Sequence, residues 1–81
     1  NICMIEQLEM LAESGPKWAK ERASMACQIY EQYQGGGLEE FEYQDIMLRL
    51  IEEPKIDNDA GDDLDTKALL ITAVHQVGNI V

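Results

Sequence analysis

The sequence predicts an all-α fold: a small four-helix domain built around an antiparallel helical hairpin. Three observations lead there. Apolar residues recur at three- and four-residue spacing over long stretches, as one face of an α-helix requires. Those stretches are separated by helix-breaking punctuation at Ser14-Gly15-Pro16, Gly35-Gly36-Gly37 and Pro54. Finally, 46% of the 81 residues are apolar, enough for one core and too many for a disordered tail. The helices are expected at about 2–13, 16–34, 38–53 and 63–80, in a single all-helical domain covering 1–81. The chain opens Asn1-Ile2-Cys3 without Met and closes at Val81 inside an apolar pattern, so it is expected to be a fragment of a longer chain or a trimmed one.

The first helix rests on Ile5, Leu8, Leu11 and Ala12. Ser14-Gly15-Pro16 then ends it and opens the second, with Pro16 suited to a first turn and Ser14 or Gly15 available as a cap. In the second helix Ala19, Ala23, Ala26, Tyr30 and Tyr33 alternate at four and three. Trp18, Arg22, Met25 and Ile29 lie in the row beside them. Three alanines on the central row allow close approach of a neighbouring helix, which marks a packing face. Three consecutive glycines then cost a helix about 1 kcal/mol each relative to alanine, so Gly35–Gly37 is a reversal.

The third helix begins with Glu39 and Glu40, acids where the dipole favours them. Its buried face is expected to be Tyr43, Ile46, Met47, Leu50 and Ile51, widened by Phe41 and Leu48. Asp45 and Arg49 form an i,i+4 pair on the outside, worth a few tenths of a kcal/mol. Pro54 stops this helix, and Pro54 to Asp65 is expected to be a loop holding Asp57, Asp59, Asp62, Asp63 and Asp65. Asp62 or Asp63 can cap the fourth helix. That last helix is uncharged from Ala68 to Val81. Thr72, His75, Gln76 and Asn79 confine its polarity to one narrow stripe, so it is expected to be covered on several sides.

Charge narrows the partners. Sixteen Asp and Glu oppose six Lys and Arg, a formal net charge of −10. Nucleic acid and anionic membrane surfaces are both excluded as expectations, because each is gripped by cationic side chains. Basic proteins, and weakly divalent cations, are what such a field attracts. The apolar run Ala68 to Ile71 falls far short of the ~20 residues that cross a bilayer. Cys3 and Cys27 lack metal or CxxC spacing, and Cys27 is expected to be a buried free thiol. That fits a reducing compartment and a cytoplasmic location.

Catalytic and cofactor patterns fail one by one. If Gly61 takes the sixth place of a calcium loop, Ile56 and Lys67 fall where oxygen ligands belong. His75 has Thr72, not Glu, three residues before it, so a carboxylate-bridged metal helix is not indicated. Glu39 and Glu40 stand where a phosphate would dock after the triple glycine. The same acids spoil a helix-turn-helix reading of the third helix. Ser14 and Ser24 have no base partner in pattern, and the carboxylates of the third helix lie on an exposed face rather than in a pKa-perturbing cleft. Neither catalytic residues nor a metal or other cofactor is expected, and the chain is not expected to be an enzyme.

Two functional classes remain. The first is a small acidic protein–protein interaction or assembly module. It would bind a protein partner or a second copy through the apolar last helix, with Leu70, Val74, Val77, Val81 and His75 as the candidate interface. The second is an acidic inhibitor or nucleic-acid mimic that fills a basic groove on a partner, using Glu39, Glu42, Asp45, Asp57, Asp59 and Asp62. Lys17, Lys20 and Arg22, with Trp18 beside them, form a small basic patch that opposes the helix dipole and so is not placed for stability alone.

Overall fold

A computed structural model describes residues 4–61 and 63–79 and folds them into five α-helices: α1 (Met4–Ser14), α2 (Lys17–Gln34), α3 (Glu40–Leu50), α4 (Glu53–Ala60) and α5 (Leu64–Val77). The all-α expectation holds. Ile2, Cys3, Asp62, Ile80 and Val81 lie outside the described residues, so what was expected of them is not addressed.

The alanine row of α2 does what its spacing suggests. Ala19, Ala23 and Ala26 have no exposed surface, and α2 packs against every other helix, most extensively α1. Leu8 and Leu11 of α1 complete that contact from the other side. The cap between the two helices differs from expectation. Pro16 itself is the N-cap residue of α2, with no side-chain bond, while the Ser14 hydroxyl turns back to donate to the Met10 carbonyl at 3.0 Å.

Two boundaries of the third expected helix move inward. Glu39 is the N-cap of α3, and Glu42 Oε1 accepts from the Glu39 N–H at 3.2 Å in a capping box. At the other end α3 stops at Leu50. Ile51 leaves the helix with φ −117°, and its side chain is buried in the turn.

Most of the stretch expected to be a loop is helical: Glu53–Ala60 forms α4, which makes the bundle five-membered. Asp and Asn are poor helix formers because they compete for backbone hydrogen bonds, and this composition hid the element. Pro54 falls in its first turn, where no N–H is needed. Ile56 and Ala60, four residues apart, are both buried, so one apolar row holds α4 to the core. Gly61 closes α4 at φ +58°, a value that favours glycine. Asp63 then caps α5, its Oδ1 accepting from the Thr66 N–H at 3.3 Å.

The expected cover over the last helix is present within the chain. α5 packs against all four other helices. Leu70, Ala73 and Val74 are fully buried, and Leu69, Ile71 and Val77 pack partly buried against the same core. Thr72, Gln76 and Asn79 of the polar stripe are exposed, and His75 is half-buried. Side chains from α3 grip the end of α5. The Tyr43 hydroxyl donates to the Val77 carbonyl at 2.7 Å, and Gln44 Nε2 donates to the Asn79 carbonyl at 2.9 Å. These bonds occupy carbonyls that a helix terminus leaves without intrahelical partners.

Candidate functional site

α3 packs against α2 and α5, and its two faces differ. Tyr43, Met47 and Ile51 point inward and are buried. Phe41 and Leu48, seven residues apart, share the opposite face. They are 69% and 43% exposed, so they do not widen the core as expected. The reason is geometric: at about 100° per residue, Phe41 and Leu48 lie about 160° and 140° round the helix from Tyr43, outside the arc that Tyr43 and Met47 fill.

Carboxylates surround this apolar pair. Between residues 39 and 52 stand Glu39, Glu40, Glu42, Asp45 and Glu52 against the single base Arg49, and all six are exposed. Asp45 Oδ2 lies 2.9 Å from Arg49 Nη2, the expected i,i+4 pair.

The candidate acidic residues are thus divided. Glu42 and Asp45 lie on α3 with Glu39 as its N-cap, whereas Asp57 and Asp59 sit on α4 in ion pairs within the chain. Asp59 Oδ2 meets Arg22 Nη2 of α2 at 2.7 Å, and Asp57 pairs with Lys67 of α5. Those two pairs link α4 to α2 and α5 at the surface. Asp62 is outside the described residues.

The candidate apolar interface also changes. Leu70 and Val74 have no exposed surface and belong to the chain's own core. Val77 and His75 are half-buried, and Val81 is outside the described residues.

The basic patch is similarly reduced. Arg22 turns inward to Asp59, donates from Nη1 to the Trp18 carbonyl at 3.1 Å, and lies 5.9 Å from the Trp18 ring centre. An open cleft of about 350 Å³ remains there, lined by Lys17, Trp18, Glu21, Arg22 and Asp59. Its mixed charges favour neither an anion nor a cation.

A tyrosine cluster links α2 to α3. The rings of Tyr33 and Tyr43 stack 4.2 Å apart at 3°. Burial pushes the Tyr43 phenol up to about 12, and Tyr30 and Tyr33 add to the shift. The sequence signal was two aromatics flanking a glycine turn; which faces would meet depends on the turn geometry. Cys27 is a free, half-buried thiol whose proton is held more tightly than usual by burial, then by Glu9 and Glu31.

Among the described residues no cluster of three or more His, Cys, Asp or Glu side chains is placed to hold a metal ion, and no helix is long and apolar enough to cross a membrane. Comparison with protein-family models, curated proteins and solved structures finds no match.

Proposed function

We propose that this chain is a small acidic protein–protein interaction module without catalytic activity, acting in a reducing, cytoplasmic setting. The observation that carries the reading is the outer face of α3, where Phe41 and Leu48 stay in water while Tyr43 and Met47 of the same helix are buried. Exposed apolar side chains on one helix face, rimmed by charge, are the composition of a binding surface. The free thiol of Cys27 supports the compartment.

The reading is tested by replacing Phe41 with a photo-crosslinking amino acid in cells that express the full protein, with Thr72 on α5 as the control position. A discrete heavier species is expected from position 41 and not from position 72. Absence of any discrete adduct at position 41 removes the reading. A second reading, inhibition of a partner through charge alone, draws on the exposed Glu39, Glu42 and Asp45. Under it, the adduct would survive loss of Leu48 and disappear at moderate salt.

A further inference from the structure

Resting on that reading, we propose that the outer face of α3 docks a basic amphipathic helix whose apolar residues recur one heptad apart. Phe41 and Leu48 are separated by two helical turns, about 10 Å along the axis. Apolar side chains at i and i+7 of a partner helix lying alongside match that interval, with an i+3 or i+4 residue between them.

Charge selects the occupant. Five carboxylates in residues 39–52 face one arginine, and Arg49 is already paired with Asp45. Lysines or arginines flanking the partner's apolar stripe would meet Glu42 and Asp45 from the side of the pair. A second copy of this chain is disfavoured, because it brings the same acids to the same surface and each chain carries −10. The apolar pair is small beside the roughly 800 Å² per partner of a standard interface, so the complex should be weak, fast-exchanging and salt-sensitive.

The test uses the isotope-labelled intact chain and three synthetic helical peptides, followed by amide chemical shifts. The first peptide carries leucines at i, i+4 and i+7 flanked by lysines. The second keeps the leucines and replaces the lysines with glutamates. The third keeps the lysines and replaces the leucines with serines. The first is expected to saturate shifts within residues 40–50, and the other two to bind at least about tenfold more weakly.

Phe41→Ser with Leu48→Ser, and separately Asp45→Lys, should each weaken the first peptide several-fold while the far-ultraviolet dichroism stays the same. These side chains are exposed, so the core is untouched, and the wild-type peptide series stands even if a variant misfolds. Equal binding of the serine peptide, equal binding of the glutamate peptide, or shifts centred on the Trp18 cleft would each overturn the proposal. So would concentration-dependent shifts at 41–48 in the protein alone, which would make the occupant a second copy. A specific crosslink at position 41 together with a failed peptide series removes the basic helix and leaves the interaction reading standing.

Discussion

Tyr43 joins three constraints in one side chain: it is 2% exposed, stacks on Tyr33, and donates to the last turn of α5. Replacing it with Phe keeps the ring and removes one bond, leaving the Val77 carbonyl short of a donor. Tyr43→Phe is expected to cost about 1 kcal/mol at neutral pH, measured by urea unfolding. Alkaline pH gives a second readout. The folded phenol titrates at about 12 and the unfolded one near 10, so the folded chain keeps the proton longer. The linked stability is whole below about pH 10 and is lost as pH rises to about 12, on the order of 2–3 kcal/mol. The Phe variant should lose less over that window, so the two stabilities converge and then cross before about pH 12. Parallel curves would mean that the phenol is not held in its protonated form. The burial of Tyr43 was legible from its spacing with Met47, but its partners were not, since Val77 lies 34 positions away in the chain.

α4 shows how composition can hide an element. Five aspartates within residues 57–65 look like a solvated loop, and only Ile56 and Ala60 carry a helical period. Two apolar positions are too few to establish a period, although one fully buried isoleucine is enough to anchor eight residues. The energetics should follow the same order. Ile56→Ala is expected to destabilise the chain by about 2–5 kcal/mol through lost burial and a cavity. Asp59→Asn, which weakens a partly exposed pair with Arg22, should cost less than about 1 kcal/mol. Urea midpoints of both variants check the ranking. A larger loss from Asp59→Asn would mean that ion pairs rather than Ile56 hold α4. The longer helices were easier to recognise: the alanine row of α2 and the polar stripe of α5 repeat often enough to define their faces. Phe41 and Leu48 went astray because a sequence pattern gives the spacing of a face, not the width of the arc its neighbours cover.

Taken together, the helices form a bundle with two centres, α2 and α5, each packed against all four others. The uncharged stretch of α5 predicted a central position, and the chain's own helices were sufficient to provide it. Charge works against this compaction. Arg22, Arg49, Lys55 and Lys67 are in ion pairs, but sixteen acids against six bases leave most carboxylates repelling one another. Sodium chloride between about 0.02 and 0.5 M is therefore expected to raise the melting temperature, because screening relieves net repulsion more than it weakens these pairs. A falling melting temperature would show that the pairs dominate.

α3 leaves this chain with a division of labour written into eleven residues. Positions 43 and 47 are answerable to the bundle, and positions 41, 45 and 48 to whatever lies outside it. Under the proposed docking role, drift at the outer three would retune selectivity while the scaffold stays as it is. On that proposal, one short helix would let recognition diversify without renegotiating the architecture beneath it.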